Sequence, residues 1–167
     1  AVDTAANASV PTPLPFGVDT ATPGVTSTTP DANTRVLFDL SGGATDTNAL
    51  AGASFVTITQ SKNGGTAYAV PGVSLTGAGT ASGSWSVTGL PRVPGTMASS
   101  VPLTSASDGV YDYVITATDA AGKNSQKTVT VRFDRTLPTT TVTAPADLGL
   151  VGSSYTFTGS ASDTSGS

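Results

Sequence analysis

One stretch of this sequence occurs twice, and this self-similarity limits the possible folds more than any other feature. The first copy is "FGVDTATPGVTSTTP" at residues 16–30, and the second is "VRFDRTLPTTTVTAP" at residues 131–145. Both carry an aromatic residue, then Asp, Thr and Pro, then a Thr- and Val-rich run that ends in a second Pro. The matching Asp and Pro residues lie 115 residues apart. Because repetition at a fixed spacing is typical of repeat proteins, we expect successive copies of one folding unit.

Two further similarities extend the repeat in both directions. "FDLSGGATD" at residues 38–46 matches "YTFTGSASD" at residues 155–163, which lies 117 residues further along. "AVDTAANAS" at residues 1–9 is similar to "ATDAAGKNS" at residues 117–125. The matches involve the beginning, the middle and the end of the chain, so we expect the repeat to organise its whole length.

These matches divide the chain into three units. We expect the last strand of a preceding repeat in residues 1–18, a complete repeat in residues 19–135, and the first strands of a following repeat in residues 136–167. Neither flanking unit is long enough to bury a core alone. Two accounts of these ends are open. The chain is a window cut from a longer array, or its outer strands pair with a neighbouring chain in a head-to-tail fibre.

Residue usage favours β-strands over helices. All 11 acidic residues are Asp, and the chain contains no Glu, His or Cys. Straight-chain helix formers are scarce, whereas the strand formers Thr and Val are frequent. A unit of this size and composition predicts an all-β fold, namely an Ig-like antiparallel β-sandwich in tandem with partial flanking repeats. Because the absence of Cys excludes disulfides, we expect the core or bound metal ions to hold the domain together.

Alternating apolar residues between turn signals place the strands of the complete repeat. The predicted strands cover residues 24–29, 34–40, 53–60, 67–75 (one strand or two, because Pro71 interrupts it), 84–88, 109–118 and 128–133. The glycines of "SGGATD" and "KNGGT" are interpreted as turn residues. Tyr111 is placed either as a tyrosine corner, bonded to upstream backbone, or as a half-buried strand aromatic. The proline-rich residues 89–107 (the 89–107 connection) are predicted to be irregular, and loops of this length are usually functional or mobile.

Five Asp residues are candidate calcium ligands. In a seven-stranded sandwich the linker before the first strand, the second loop and the last loop meet at one pole. Asp19, Asp46 and Asp119 occupy these three places, and Asp134 and Asp163 repeat the pattern at the next junction. Carboxylate oxygens are the ligands that calcium prefers. The alternative is turn chemistry alone, in which each Asp only caps its own backbone.

Several motifs carry a resemblance to a known family. "SGSWSVTGL", "DGVYDYVITATDAAGKNS" and "VRFDRTLPTTTVTAP" follow one another in the order found in tandem Ig-like repeats of large bacterial surface proteins and adhesins, which the chain resembles. One departure is Lys123, which separates a Gly-Asn pair that is usual in those repeats. The resemblance implies an extracellular or bacterial cell-surface location. It also implies a structural stalk or filament role in adhesion or biofilm matrix, with neighbouring repeats of the same or an adjacent chain as partners.

A second functional class also fits the sequence, while other classes are disfavoured. A long loop at a sandwich end suits a module that binds a glycan or host-matrix ligand, or an accessory domain of a secreted polysaccharide enzyme. We expect no enzyme, because His and Cys are absent and the candidate carboxylate pairs among Asp39, Asp46, Asp112 and Asp119 are interpreted as turn and surface residues. The net charge of −4 and the lack of a basic cluster predict no nucleic-acid partner. No apolar run is long enough to predict a membrane span.

Overall fold

The computed structural model describes residues 4–5, 13, 17–28, 30, 32–145 and 149–163. The predicted strand of residues 1–18 lies mostly outside these ranges. The described part of the chain is all-β, with a single 3₁₀ turn at Ser105–Ser107. Its strands are β1 (Gly24–Val25), β2 (Asn33–Thr34), β3 (Phe38–Thr45), β4 (Val56–Lys62), β5 (Tyr68–Ala69), β6 (Ser74–Thr76), β7 (Ser82–Leu90), β8 (Gly109–Thr118), β9 (Asn124–Phe133), β10 (Thr139–Ala144) and β11 (Thr158–Ser162).

Nine of these strands form two sheets with a shared core. The first sheet has the order β1-β3-β7-β6, and the second has the order β2-β9-β8-β4-β5. All neighbours pair antiparallel except β2, which runs parallel to β9. One hydrophobic cluster joins the inner faces of both sheets, and it includes Leu40 and Trp85 from the first sheet and Ile58, Tyr111, Tyr113 and Phe133 from the second. The architecture is therefore β-sandwich-like, as expected for two sheets that bury one face each.

Strand β8 is the centre of the second sheet and follows its prediction. It spans the predicted residues 109–118, and every second side chain from Tyr111 to Ala117 is buried. The Tyr111 hydroxyl donates a hydrogen bond of 2.7 Å to the backbone carbonyl of Ser107, four residues upstream. The tyrosine-corner interpretation is thus confirmed. The predicted strand at 67–75 is divided into β5 and β6, on the two sides of Pro71.

Strand β3 corrects the prediction for the second strand. The sequence placed it at 34–40, with Val36 on the same face as Phe38 and Leu40, but β3 begins at Phe38 and Val36 is 55 % exposed while Leu40 is buried. The glycines of "SGGATD" are inside β3 and form no turn. A Cβ atom at Gly42 would collide with the Thr26 carbonyl oxygen. Glycine in a strand interior often marks such a close backbone approach, and this contact is the reason that the turn interpretation was wrong.

The 89–107 connection is packed against the sandwich. Its first two residues belong to β7, which ends at Leu90, and three of its apolar side chains are in the core: Leu90, Met97 and Val101. The buried side chain of Gln60 on β4 holds the connection in place by two hydrogen bonds of 2.8 Å with the backbone of Arg92, one donated and one accepted. The connection is therefore part of the packed sandwich.

Strands β10 and β11 form a separate two-stranded sheet. Its register repeats that of β1 and β3. Adding 115 to the residue numbers of β1 and 117 to those of β3 turns their paired residues into paired residues of β10 and β11. The paired residues are Gly24 with Thr45 and Val25 with Ala44 in the sandwich, and Thr139 with Ser162 and Thr140 with Ala161 in the hairpin. The similarity of "FDLSGGATD" and "YTFTGSASD" thus extends from sequence to backbone pairing.

Candidate metal centre

Two strand ends and one linker bring three carboxylates to the same pole. Asp46 directly follows β3, and Asp119 directly follows β8. Asp19 precedes β1 in the linker that leads into the sandwich. β3 and β8 belong to opposite sheets and end at the same pole, so the two loops that follow them are neighbours. This is the arrangement that the sequence predicted for the three residues.

Backbone hydrogen bonds hold the two loops against one another. The amide of Ala120 donates to the carbonyl of Ala49 at 2.9 Å, and the amide of Ala51 donates to the carbonyl of Thr118 at 3.0 Å. Asp119 forms an isolated β-bridge with Leu50. The positions of Asp46 and Asp119 are therefore set by the sandwich itself, whereas Asp19 lies on a segment outside the two sheets.

The three carboxylates are close enough to share one cation. One carboxylate oxygen from each of Asp19, Asp46 and Asp119 lies within 4.8 Å of the other two. Calcium binds oxygen at about 2.3–2.6 Å, so two of its ligands can be up to about 5 Å apart. The group therefore fits one calcium shell, in which three carboxylates would leave further positions for carbonyl oxygens or water.

Two unit negative charges 4.8 Å apart repel by about 3 kcal/mol at an effective dielectric constant of about 20. A bound cation would remove that repulsion.

One oxygen of each carboxylate has a local structural partner. These Oδ1 atoms accept backbone N–H hydrogen bonds from residues two to four positions later: Ala21 to Asp19 at 3.1 Å, Asn48 to Asp46 at 2.8 Å, and Lys123 to Asp119 at 2.8 Å. The turn chemistry considered for these residues is present. It uses only one oxygen of each side chain, so it leaves the other oxygen available for a ligand.

The second oxygens provide the stronger indication of a cation. The buried Oδ2 atoms of Asp46 and Asp119 have no hydrogen-bond partner among the described residues. Asp119 is only 1 % exposed. A buried polar atom without a partner costs about 1–3 kcal/mol, and more when it is charged. A divalent cation bound by the three carboxylates would compensate the negative charge of both side chains.

Asp134 and Asp163, the candidates at the second junction, do not belong to a three-carboxylate group within the described residues. The Oδ1 atom of Asp134 accepts a hydrogen bond from the amide of Thr136 at 3.0 Å. The bond from Ala21 to Asp19 has the same two-residue spacing. The linker after β9 therefore repeats the local conformation of the linker before β1. The third ligand expected here, the counterpart of Asp119, is not among the described residues.

Asp108 holds the linker after β9, a role that the sequence did not reveal. Its carboxylate accepts hydrogen bonds from the Arg135 amide at 2.7 Å and from the Thr136 hydroxyl at 2.6 Å. In the sequence, the Asp108-Gly109 pair by itself is only a turn signal. No local signal could have shown the second role, because the bonded partners lie 27 and 28 residues away.

Asp39 and Asp112, the remaining carboxylates considered for chemistry, each have a structural partner. Asp39 accepts a hydrogen bond from the Gly89 amide at 2.9 Å, which links β3 to β7. Asp112 accepts one from the Thr130 hydroxyl at 2.6 Å, which links β8 to β9. Neither belongs to the cluster of Asp19, Asp46 and Asp119.

Comparisons with known proteins do not identify a family for this chain. A scan against protein-family models and a search of curated proteins found no match. Among the described residues, no helix has the length and apolar character needed to cross a membrane. The functional interpretation therefore depends on the carboxylate cluster and on the internal repeat.

Proposed function

We propose that this chain is a spacer module from a tandem array of Ig-like sandwiches in a bacterial extracellular surface protein. In this proposal, calcium bound by Asp19, Asp46 and Asp119 stiffens the junction in front of the sandwich. The array would form a stalk or filament that supports adhesion or matrix formation. Neighbouring modules are the primary partners, because copies in series add length more readily than they add new specificity.

The convergence of the three carboxylates carries the proposal. Asp46 and Asp119 are fixed by the sandwich, whereas Asp19 belongs to the linker. A cation bound by all three would tie the linker to the sandwich. It would also restrict rotation between the sandwich and whatever precedes it. Extracellular calcium modules work with dissociation constants of about 10⁻⁴–10⁻³ M, which suits a site that supplies only three carboxylates.

Two features support the Ig-like assignment and the tandem arrangement. The strand order of the two sheets, with a tyrosine corner at the start of β8, agrees with the plan of Ig-like sandwiches. The hairpin β10–β11 repeats the register of β1 and β3, as the first strands of another sandwich would.

The 89–107 connection is the feature that suggests a glycan- or host-ligand-binding module instead. Because its apolar side chains complete the core, we retain the spacer function as the single proposal.

Calorimetric titration with calcium tests this function. We expect about one ion per chain, with a dissociation constant near 10⁻⁴–10⁻³ M. The variant Asp119→Asn keeps an oxygen for the Lys123 amide but loses the charge, so we expect binding to weaken at least tenfold. Asp112→Asn is the matched control, because it removes one charge outside the cluster, and it should bind as the parent chain does. No uptake at millimolar calcium, or equal uptake by the Asp119 variant, would refute the proposal.

A further inference from the structure

The hairpin β10–β11 leaves exposed the residues whose counterparts form the core of the sandwich. Leu40 on β3 is fully buried, but its counterpart Phe157, the residue directly before β11, is 76 % exposed. Ala44 is 1 % exposed, whereas its counterpart Ala161 is exposed. The pair β10–β11 has the same register as the pair β1–β3, so the two pairs differ in what covers them. Among the described residues, nothing covers the hairpin as the second sheet covers β1 and β3.

The strand pairs β1–β3 and β10–β11 share a close backbone contact as well as a register. A Cβ atom at Gly42 would collide with the Thr26 carbonyl oxygen, and a Cβ atom at Gly159 would collide with the Thr141 carbonyl oxygen. Gly42 and Gly159 correspond at the offset of 117 residues, and Thr26 and Thr141 correspond at 115. The hairpin therefore has the same narrow gap between its strands at the same place.

In the sandwich, this gap is covered by a tryptophan. Strand β7 pairs with β3 in a register that sets Trp85 opposite Gly42. The indole N–H of Trp85 donates a hydrogen bond of 3.2 Å to the Thr26 carbonyl, and the side chain is 2 % exposed. A Cβ atom at Gly42 would lie only 2.8 Å from the Trp85 ring. Glycine at this position thus makes room for both the opposite carbonyl and the indole.

We propose that the free edge of β11 binds an antiparallel strand with the Gly-x-Trp-Ser-Val pattern of β7. The indole of that strand lies over Gly159 and donates its N–H to the Thr141 carbonyl, while Phe157 becomes buried. The strand comes from a further sandwich module of this kind, covalently linked to the hairpin. The inference therefore rests on the tandem arrangement of the proposed function, and it adds the identity of the docking strand and its contacts.

A chimera tests this docking directly. It consists of the chain through Asp163 followed by a second copy of residues 47–135, because Asp163 corresponds to Asp46. We expect a second folded sandwich in a monomeric protein. Its NMR spectrum should show two hydrogen-bonded indole N–H signals, and amide exchange in β10 and β11 should slow at least tenfold relative to the parent chain. Unchanged exchange in the hairpin, or docking that occurs only in a dimer, would overturn the proposal.

Paired variants show whether the contact is the one described. In the parent chain, Phe157→Asp should leave stability unchanged, because that side chain is exposed. In the chimera, the same change should abolish the slowed exchange of the hairpin. The matched control is Thr156→Asp, since its counterpart in the sandwich is the exposed Asp39, and it should leave the chimera intact. If Phe157→Asp and Thr156→Asp changed the amide exchange of the chimera equally, the assignment of Phe157 to the buried face would be refuted.

Calcium stoichiometry distinguishes this inference from the proposed function. The chimera adds the counterpart of Asp119 to Asp134 and Asp163, so calorimetry should rise from about one ion to about two. A docked strand in a protein that binds no calcium would refute the calcium junction and leave the inference standing. If the parent chain binds calcium but amide exchange in the hairpin of the chimera is unchanged, the strand-docking inference is refuted and the calcium proposal is kept.

Discussion

Two buried tyrosines on β8 offer a matched test of the sandwich's interior. Tyr111 and Tyr113 are two residues apart, and both are fully buried. The Tyr111 hydroxyl donates to the Ser107 carbonyl at 2.7 Å. The buried Tyr113 hydroxyl has no hydrogen-bond partner in the described part of the chain. The same substitution, Tyr→Phe, therefore removes a satisfied hydroxyl at one position and an unsatisfied hydroxyl at the other.

The expected effects have opposite signs. Tyr111→Phe breaks one hydrogen bond and removes the donor of the Ser107 carbonyl. Such a loss costs about 1–3 kcal/mol of unfolding free energy. Tyr113→Phe removes a polar atom whose burial is not compensated, so its effect should range from neutral to a stabilisation of about 1 kcal/mol. The packing of both aromatic rings is kept, because phenylalanine differs from tyrosine only by the hydroxyl.

Urea unfolding followed by Trp85 fluorescence measures the difference. With a denaturant dependence of about 2 kcal/mol/M, a loss of about 2 kcal/mol lowers the midpoint by about 1 M urea. We expect that decrease for Tyr111→Phe, and an equal or higher midpoint for Tyr113→Phe. If Tyr113→Phe lowered the midpoint as much as Tyr111→Phe, the hydrogen-bond assignment of this core would be wrong.

Three further predictions concern pH, packing and the carboxylate cluster. Burial and the nearby Asp108 raise the pKa of Tyr111 to about 12, so the folded state keeps a proton that the unfolded chain loses near pH 10. This tyrosine should thus lower stability by about 1.4 kcal/mol per pH unit between pH 10 and about 12, and that contribution should vanish in Tyr111→Phe. Gly42→Ala should cost more than about 3 kcal/mol or prevent folding, whereas Gly52→Ala, with nothing within 4 Å of the new Cβ atom, should change stability by less than about 0.5 kcal/mol. In chelator, Asp119→Asn should be at least as stable as the parent in thermal melts, because it relieves repulsion. At a hundredfold calcium excess over the parent's dissociation constant, the parent should gain about 2.7 kcal/mol, whereas a variant that binds tenfold more weakly should gain only about 1.4 kcal/mol.

Local patterns in the sequence predicted the parts of the fold that depend on near neighbours. The alternation of residues 109–118 identified β8, because a half-buried strand needs a period of two. The motif around Tyr111 predicted the corner, because its acceptor lies only four residues upstream. The convergence of Asp19, Asp46 and Asp119 followed from the alternating strand directions of a sandwich, which place every second loop at the same pole.

The sequence could not predict features that depend on distant contacts. The glycines of β3 looked like a turn, because their role depends on the Thr26 carbonyl and on Trp85, which come from other strands. The parallel pairing of β2 with β9 joins segments about 100 residues apart and has no local signature. The 89–107 connection carries turn residues throughout, yet Met97 and Val101 are buried in a core that is built mainly by strands elsewhere in the sequence.

The central claim is that one calcium ion joins the linker to both loops of the sandwich. Its most direct test is a calcium titration followed by amide NMR. The amides of Ala21, Asn48 and Lys123 each donate to one of the three carboxylates, so they report on all three ligands separately. We predict that the three signals shift together, with one common dissociation constant. Signals that do not move at millimolar calcium, or that move with different midpoints, would contradict a single shared ion.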